Sequence, residues 1–436
     1  MKGLMITAPA SGSGKTTVTL GLLRALKRKG TALAPVKVGP DYIDPAYHKV
    51  ASGADCFNLD PWAMRPELIS ALSSRMTESG AKLLLAEGMM GFFDGAMDGS
   101  GSSADLARLL DLPAVLVVDC AKQSHSIAAL VWGFSQFRKN VLIAGVILNR
   151  VGSARHEAML RDALAPLRIP VLGALPRDAA LSLPERHLGL VQAGEHPDLE
   201  AFLDHAADVI TSHVDLDALE NIWSRPERYD AMANVPRLKP LGNRIAIARD
   251  DAFAFAYAHL FEGWRRRGAE LSFFSPLADE VPNADADAIY LPGGYPELHA
   301  ARLSQASQFR AGIREAAERG VTIYGECGGY MVLGEALEDG DGVAHSMVGL
   351  LPLETSFAKR KLHLGYRTLE PLDGSPWDTP LKAHEFHYAS VVREGEADRL
   401  FRVRDALGED MGEAGLRVGS VSGSFMHVID FCGEKA

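Results

Sequence analysis

Short apolar runs alternate with longer amphipathic segments along the first half of the chain. The apolar runs cover residues 4–6, 34–36, 83–85, 114–118 and 141–148. Runs of this length are typical of strands buried on both faces, and the segments between them are long enough for helical crossovers. We therefore predict an α/β domain in which helices wrap a parallel sheet.

This rhythm stops in a largely polar segment at residues 214–243, which contains Pro226, Pro236 and Gly242. Apolar runs then resume at residues 245–247, 271–274, 288–291 and 321–324, with a helix predicted over 252–267. A chain of 436 residues exceeds one ordinary core and suggests two domains of about 200 residues each. The predicted organisation is a first α/β domain at 1–213, a linker at 214–243 and a second α/β domain at 244–436.

The amino-acid composition and net charge argue against several classes of function. Hydrophobic residues make up 47% and charged residues 23% of the chain, which is typical of globular proteins. The net charge of −11 argues against nucleic-acid binding as the main activity, because such proteins concentrate Lys and Arg. Four dispersed cysteines suit a reducing compartment, and no apolar run approaches the roughly 18 residues of a membrane span. We expect a cytoplasmic protein that does not bind membranes.

A phosphate-binding loop is predicted near the N-terminus, between a strand ending at Thr7 and a helix. The loop and the first helical turn comprise Gly12, Ser13, Gly14, Lys15, Thr16 and Thr17. Backbone N–H groups and the helix N-terminus can hold the phosphates of ATP, while Lys15 neutralises their charge and Thr16 holds Mg²⁺. Pro9 replaces the first glycine of the usual pattern. A glycine turn that only caps a helix is the alternative.

Polar residues also follow the predicted strands where α/β folds place their active sites. Lys37 follows the run at 34–36, and Glu87 follows the run at 83–85. A lysine there can stabilise a transferring phosphoryl group and an acid can bind Mg²⁺, whereas each residue alone could simply be solvated. Asn149, after the run at 141–148, could read an adenine edge or cap a turn.

Two further loops add acids, aromatic rings and glycines to the same predicted cleft. They cover residues 39–45 and 88–95, and Asp60 lies between them in sequence. This mixture suits a large, partly apolar substrate.

In the second half, a strand at residues 321–324 leads into Gly325-Glu326-Cys327-Gly328-Gly329, after which a helix is predicted from about residue 330. Small residues around a nucleophile permit a tight strand-to-helix turn that exposes its side chain, and a helix N-terminus lowers a thiol pKa. The N–H of Gly328 and the turn that contains Gly294 could form an oxyanion hole. A structural buried cysteine is the alternative.

Cys327 needs a base, and spacing alone does not choose one. The candidates are His345, His363, His384, His387 and His427. The run of small residues leading to His427 favours that histidine. His384-Glu385-Phe386-His387 also looks like a metal pair, but no third ligand is evident and a metal is not expected.

Motifs in both predicted domains resemble the family of corrinoid a,c-diamide synthases, most closely its aerobic cobalamin branch, which acts on hydrogenobyrinic acid. These motifs are ALAPVKVGPDYIDPAYH, CFNLDPWAMRPE, AEGMMGFFDG, LPERHLGLVQAGEH, LPGGYPELHA, YGECGGYMVLG and HEFHYAS. The resemblance implies an ATP-dependent and glutamine-dependent ligase of cobalamin biosynthesis that amidates two tetrapyrrole carboxylates through acyl phosphates. A homodimer is one possible assembly.

The resemblance also implies site roles. The first domain is similar to dethiobiotin synthetase, and the second to triad-type glutamine amidotransferases. In the first domain it implies that residues 12–17 bind ATP, that Thr16, Asp60 and Glu87 bind Mg²⁺, and that Lys37 assists phosphoryl transfer. The tetrapyrrole carboxylates would face Asp41, Tyr42, Ile43, Asp44 and Asp94. In the second domain it implies that Cys327 is the nucleophile and His427 its base. Such amidotransferases usually carry an acid two residues after the histidine, where this chain has Ile429, so the third triad member is unassigned.

Two alternative functions stay open. One is the same reaction on cobyrinic acid, which contains cobalt, or on another tetrapyrrole. The other is a regulatory P-loop ATPase. Proteins of that second class carry an additional lysine near the start of the phosphate loop, which residues 9–13 lack, and the cysteine turn would have no role in them.

Overall fold

The computed structural model of the chain describes residues 2–186, 189–223 and 235–433. Residues 187–188 of the LPERHLGLVQAGEH motif and residues 224–234 of the predicted linker lie outside the described residues. The chain divides into two compact units, Met1–Trp62 with Pro66–Val235, and Ala63–Arg65 with Pro236–Ala436. We call them the N-terminal and C-terminal units.

The N-terminal unit alternates strands with helices, as the apolar pattern predicts. Its strands are β1 (Lys2–Thr7), β2 (Leu33–Val38), β3 (Phe57–Leu59), β4 (Leu83–Glu87), β5 (Ala114–Asp119), β6 (Ile143–Val151), β7 (Val171–Pro176), β8 (Glu185–Arg186) and β9 (Gly189–Leu190). Its helices are α1 (Lys15–Arg28), α2 (Asp44–Ser52), α3 (Pro66–Glu78), α4 (Ser103–Leu109), α5 (Ile127–Phe137), α6 (Ala154–Leu164), α7 (Leu199–His213) and α8 (Leu216–Asn221). Short 3₁₀ turns cover Ala165–Leu167, Ala179–Leu181 and Ala193–Glu195.

Among the described residues of this unit, seven strands form one parallel sheet in the order β3-β2-β4-β1-β5-β6-β7. All five residues of β4 are buried, as expected for a strand covered by helices on both faces. The register pairs Glu87 with Ile6 of β1 on one side and with Lys37 of β2 on the other. The carboxyl ends of these three strands therefore meet beneath the loop that follows β1.

Part of the segment predicted as a linker is folded onto the N-terminal unit. Val214 forms an isolated antiparallel bridge with Gly173 of β7, and α8 follows at once. Leu216 and Leu219 of α8 are buried, so burial of apolar side chains holds this segment in the unit.

The C-terminal unit begins in the same α/β style and then becomes mostly β-structure. Its strands are β10 (Arg244–Ala248), β11 (Glu270–Phe274), β12 (Ala288–Leu291), β13 (Thr322–Glu326), β14 (Ala336–Glu338), β15 (Ala344–Ser346), β16 (Leu353–Ser356), β17 (His363–Pro371), β18 (Leu381–His387), β19 (Ser390–Glu394), β20 (Asp398–Arg404), β21 (Asp410–Val418), β22 (Val421–Ser424) and β23 (Met426–Phe431). Its helices are α9 (Ala258–Arg266), α10 (Ala300–Gln305), α11 (Ser307–Glu318) and α12 (Gly328–Leu333), with 3₁₀ turns at Pro276–Ala278 and Pro296–Leu298.

The main sheet of the C-terminal unit has the order β11-β10-β12-β13-β22-β21-β20-β17-β18-β23 within the described residues. Its first five strands are parallel and the rest pair antiparallel. Strands β15, β14, β16 and β19 form a smaller second sheet. The α/β class predicted for both domains is confirmed, while the antiparallel half of this unit was not foreseen.

The helix predicted over residues 252–267 is too long at its start, because α9 begins only at Ala258. The backbone before it has another partner: the N–H of Phe255 donates to the carbonyl of Gly293 at 2.9 Å. Within the three described stretches of the chain, no helix has the length and apolar character needed to cross a bilayer.

Candidate active sites

The loop between β1 and α1 has the conformation that its glycines allow. Gly12 and Gly14 have φ angles of 78° and 90°, which side-chain-bearing residues rarely adopt. Asn149 of β6 lies against the loop, and its Nδ2 donates to the carbonyl of Ser13 at 2.9 Å. A Cβ on Gly14 would lie 2.2 Å from that same Nδ2. Asn149 therefore supports the loop from below, and its predicted contact with a nucleotide stays a prediction.

The first residues of α1 point toward the ends of the neighbouring strands. Lys15 Nζ donates to the carbonyl of Met90 at 2.6 Å, and burial lowers the pKa of this lysine. The Thr16 hydroxyl donates to Glu87 Oε1 at 2.6 Å. A threonine hydroxyl beside a carboxylate is a pair of hard oxygen donors, which is what Mg²⁺ prefers. The residues present therefore fit a magnesium ion.

Behind this pair lies a buried cluster of charged groups. Lys37 Nζ is 2.5 Å from Asp44 Oδ2 and 3.0 Å from Glu87 Oε1, while His48 Nε2 is 2.7 Å from Glu87 Oε2. The parallel register brings Lys37 beside Glu87, and α2 presents Asp44 and His48 one turn apart on one face. Each side chain of the cluster is at most 9% exposed, so their charges interact without much solvent screening.

The cluster keeps Glu87 ionised. Burial alone would raise the pKa of Glu87, but Lys37 and His48 hold it well below its ordinary value. Burial would likewise lower the pKa of Lys37, yet Asp44 and Glu87 raise it. For His48, burial is outweighed by contacts with Cys56 and Glu87, which raise the pKa to about 10. The site thus presents a negative carboxylate and a positive ammonium side by side.

The predicted substrate residues lie on the loops that follow β2 and β4. Asp41 Oδ1 accepts the N–H groups of Ile43 and Asp44 at 2.8 Å and 2.9 Å, so this carboxylate caps the start of α2. Tyr42 is half-buried and Ile43 is buried. Asp94 is exposed, and its Oδ2 accepts the N–H of Gly91 at 2.9 Å. The contact of these residues with a substrate stays a prediction.

Asp60, the third predicted magnesium ligand, follows β3 and is fully buried. Its Oδ1 accepts the N–H of Trp62 at 2.9 Å. Strand β2 lies between β3 and β4 in the sheet, so Asp60 approaches from the far side of Lys37 relative to Glu87. Its role as a ligand stays a prediction.

In the C-terminal unit, Cys327 occupies the sharp turn between β13 and α12. Its φ angle of 47° is unusual for a residue with a side chain and marks a strained turn, as expected for a nucleophile elbow. The turn requires Gly329, because a Cβ there would lie 2.0 Å from the carbonyl oxygen of Leu291. Helix α12 begins at Gly328, two residues earlier than predicted, so Cys327 itself is its N-cap.

His427 lies beside Cys327, and Gly293 leaves the space for both. A Cβ on Gly293 would be 2.3 Å from His427 Cε1, 3.0 Å from Nε2 and 3.2 Å from Cys327 Cβ. Burial raises the pKa of the Cys327 thiol and lowers the pKa of His427 to about 3. The resting pair is therefore a neutral thiol next to a neutral imidazole, which is the form of a base ready to accept a proton.

The two predicted oxyanion residues are neighbours in space. The position of a Cβ on Gly328 lies 3.0 Å from the backbone nitrogen of Gly294. The N–H of Gly328 also donates to the Cys327 sulfur and acts to lower the thiol pKa. Two backbone N–H groups next to a nucleophile can stabilise a negatively charged oxygen, so this geometry is compatible with an oxyanion hole.

Comparison with known proteins gives these two sites a family. A model described as CobQ/CobB/MinD/ParA nucleotide binding domain matches residues 4–191, and one described as CobB/CobQ-like glutamine amidotransferase domain matches residues 244–433. A Brucella anthropi protein named hydrogenobyrinate a,c-diamide synthase is 86% identical over 436 residues, covering 100% of both chains. The chain belongs to the family of hydrogenobyrinate a,c-diamide synthases.

More distant members of the family also match this chain over nearly its whole length. The Sinorhizobium sp protein of this name is 62% identical over 433 residues, which are 99% of this chain and 100% of the relative. The Rhodobacter capsulatus protein is 51% identical over 435 residues, which are 98% of each chain. The resemblance recognised from the motifs is confirmed.

The position where many amidotransferases carry the triad acid is apolar in this family member. Ile429 is 1% exposed and belongs to the core. A carboxylate approaches this histidine from another strand: Oε2 of Glu326, the residue before Cys327, is 3.8 Å from His427 Nδ1. Burial raises the pKa of Glu326 to about 8, and hydrogen bonds from Tyr290 and the Val428 N–H act against this. Glu326 lies within the predicted cysteine turn, but its sequence position alone indicated no role.

The remaining candidate bases have other surroundings. His345 pairs with Asp339 at 2.7 Å next to the small sheet. His363, Glu385 and His387 lie together, with ligand atoms within 4.8 Å of one another, so the HEFH pair does acquire a third neighbour. Glu385 is already paired with Arg367 at 2.7 Å and with His387 at 3.2 Å. These contacts explain the cluster as a buried ion pair.

His48 is the residue of the N-terminal site that sequence analysis missed. Its imidazole is fully buried and holds the second oxygen of Glu87. The signal was present in the DPAYH segment, where a histidine four residues after an acid on a helix must share its face. What could not be foreseen is that this face turns toward β4.

Proposed function

We propose that this chain catalyses the ATP-dependent and glutamine-dependent amidation of the a and c carboxylates of hydrogenobyrinic acid in cobalamin biosynthesis. It is a glutamine-hydrolysing carbon–nitrogen ligase. Membership of the hydrogenobyrinate a,c-diamide synthase family supports the reaction. The observation that carries it is that one chain combines a phosphate loop facing an ionised carboxylate with a cysteine elbow facing a histidine.

The N-terminal unit activates the acceptor. A carboxylate is a poor electrophile and its oxygen is a poor leaving group, so phosphorylation by ATP must precede attack by ammonia. Residues Gly12–Thr17 bind the triphosphate, and Lys15 leaves the Met90 carbonyl to neutralise the phosphate charge. Lys37, held by Asp44 and Glu87, stabilises the phosphoryl group in transfer. Asn149 contacts the nucleotide from beneath the loop.

Thr16, Glu87 and Asp60 would hold Mg²⁺. When bound, the ion supplies positive charge to the phosphate oxygens. The support is the Thr16 hydroxyl 2.6 Å from a buried carboxylate that Lys37 and His48 keep ionised. The substrate carboxylates face the loops of Asp41–Asp44 and Asp94.

The C-terminal unit supplies ammonia. Cys327 gives its proton to His427 and attacks the side-chain carbonyl of glutamine, and the negative oxygen is received by the N–H groups of Gly294 and Gly328. His427 returns the proton to the leaving nitrogen, which departs as ammonia and leaves a glutamyl thioester on Cys327. Water then hydrolyses the thioester to glutamate. Ammonia attacks the acyl phosphate, and phosphate leaves as the amide forms.

Product mass tests the proposal most directly. The protein is incubated with ATP, Mg²⁺, glutamine and either metal-free hydrogenobyrinic acid or its cobalt counterpart. We expect two successive exchanges of hydroxyl for amino group on the metal-free ring. Preference for the cobalt ring would contradict the substrate assignment, and no product with either ring would contradict the reaction. Cys327→Ala should use ammonium but not glutamine.

Two further expectations are part of the proposal. A homodimer stays a prediction, which light scattering coupled to size exclusion tests directly. A cytoplasmic location stays a prediction as well, and fractionation of cells that express the protein tests it.

A further inference from the structure

The base of the glutaminase site needs an acid that comes from an unusual place in the chain. Strand β23 carries His427 and Ile429 with alternate spacing, so an acid at position 429 would share a face with the histidine. Ile429 is instead an apolar core residue. An imidazole that gains a proton inside a low-dielectric site needs a nearby negative charge, and the acid in that role also fixes the orientation of the ring.

Glu326 occupies the required position from another strand. It ends β13, immediately before Cys327, and it is 2% exposed. Its Oε2 lies 3.8 Å from His427 Nδ1. The Cε1–Nε2 edge of the same ring faces Gly293, which Cys327 Cβ also approaches. The imidazole therefore has Nδ1 on the side of the acid and Nε2 on the side of the glycine beside the nucleophile.

The carboxyl group of Glu326 is itself held in place. Tyr290 OH donates to Oε2 at 2.7 Å, and the N–H of Val428 donates to Oε1 at 3.1 Å. Val428 follows His427 in β23, so the same hydrogen bond fixes the acid relative to the base. Both donors favour the ionised form of the carboxyl group against the effect of its burial.

We propose that Glu326 is the orienting acid of His427, so that the glutaminase triad of this chain consists of Cys327, His427 and the residue directly before the nucleophile. The inference rests on the proposed function of the C-terminal unit. When Cys327 passes its proton to His427, Glu326 stabilises the imidazolium at Nδ1, and the contact shortens from 3.8 Å to hydrogen-bond length. Glu326 is a positioning residue, because it reaches glutamine only through His427.

Other charged and titratable groups facing this pair do not replace it. His384 and His387 approach His427 from β18 and act to lower its pKa, so they oppose protonation. Glu297 and Glu385 act on the thiol of Cys327 and raise its pKa. Glu385 is in addition paired with Arg367. The Glu326 carboxylate, by contrast, lies 3.8 Å from His427 Nδ1.

The test is Glu326→Gln, which keeps the shape and one accepting oxygen but removes the charge. Glutamate release from glutamine is measured first, because it does not depend on the tetrapyrrole. We expect kcat to fall about 100-fold or more, as in other triads that lose their acid, while KM for glutamine changes little. Amidation of hydrogenobyrinic acid with ammonium should keep its parental rate.

Asp339→Asn is the matched control, since it removes the acid of the Asp339–His345 pair in the same unit. It should leave both rates unchanged. A Glu326→Gln protein that is folded and releases glutamate within about 3-fold of the parental kcat overturns the proposal. A rise in KM with unchanged kcat also overturns it, because the residue would then serve glutamine binding.

If Glu326→Gln does not fold, Tyr290→Phe tests the proposal in its place. It keeps the carboxylate and removes the hydroxyl that orients Oε2. We expect a loss of about 10-fold in kcat for glutamate release with intact ammonium use. An unchanged kcat overturns the inference. Failure of the parental protein to amidate with ammonium would count against the proposed function alone, since glutamate release tests the triad separately.

Discussion

Gly293 packs against both the nucleophile and its base, and a single methyl group there should disable glutamine use without harming the fold. Gly293 does not have a positive φ angle, so alanine is conformationally allowed at this position. The new Cβ would lie 2.3 Å from His427 Cε1. An ordinary carbon–carbon contact is about 3.5 Å, so the ring or the turn must shift by about 1 Å.

The His427 imidazole cannot shift without leaving its position as the base. His427 is fully buried, and β23 is held by its pairing with β18, where His384 lies opposite. A displacement of about 1 Å in a catalytic group costs on the order of 100-fold in rate, which corresponds to about 2.7 kcal/mol in the activation barrier. The N-terminal site contains no part of this contact and should be unaffected.

The assay compares amidation of hydrogenobyrinic acid with glutamine and with ammonium chloride as nitrogen source, together with thermal unfolding. Gly293→Ala should lose about 100-fold with glutamine and keep the parental rate with ammonium. Gly340→Ala is the control, because its Cβ would meet only the end of the Arg360 side chain at 3.3 Å. Parental glutamine use in Gly293→Ala would refute the reasoning, and so would equal loss with both nitrogen sources.

Three other changes test the remaining sites. Gly14→Ala should abolish ATP binding, measured by titration calorimetry, while glutamate release persists. The reason is that Gly14 has a φ of 90° and that a Cβ there would lie 2.2 Å from Asn149 Nδ2. Normal ATP affinity would contradict the loop geometry. Lys37→Gln removes the cation paired with Asp44 and leaves Glu87 with His48 alone, so amidation with either nitrogen source should fall about 100-fold and the free energy of unfolding should drop by about 3 kcal/mol. Folding lowers the pKa of Glu385 from 4.5 to about 2, because its pairing with His387 and Arg367 outweighs burial. Its ionised form therefore stabilises the C-terminal unit by about 3 kcal/mol above pH 4.5, and this stabilisation is lost as the pH falls toward 2. In Glu385→Gln the free energy of unfolding should therefore depend less on pH between 4.5 and 2. An unchanged pH dependence over that range would disprove the pairing.

The local motifs were predictable because their geometry depends on residues close together in sequence. A glycine loop between a strand and a lysine-led helix has few other conformations available, and the same holds for a cysteine among glycines after a buried strand. The choice of His427 among five histidines was an interpretation of small residues preceding it, and the distances around Gly293 now support it.

The partners of these motifs were not predictable in the same way. His48 of α2 contacts Glu87 at the end of β4, 39 positions away, and Glu326 lies near His427 over about a hundred positions in sequence. The extent of α9 was overestimated because nothing local signals that the Phe255 N–H binds Gly293. The antiparallel half of the C-terminal sheet likewise depends on pairings between distant strands.

The sequence by itself determined the α/β class, the phosphate loop, the cysteine elbow and the family. These follow from short-range steric rules and from the apolar period of the chain. Only the tertiary structure decided which acid lies beside which histidine, because strand register and burial bring together side chains that no spacing relates. Burial keeps Cys327 and His427 neutral, whereas neighbouring opposite charges keep Lys37 and Glu87 ionised despite their burial.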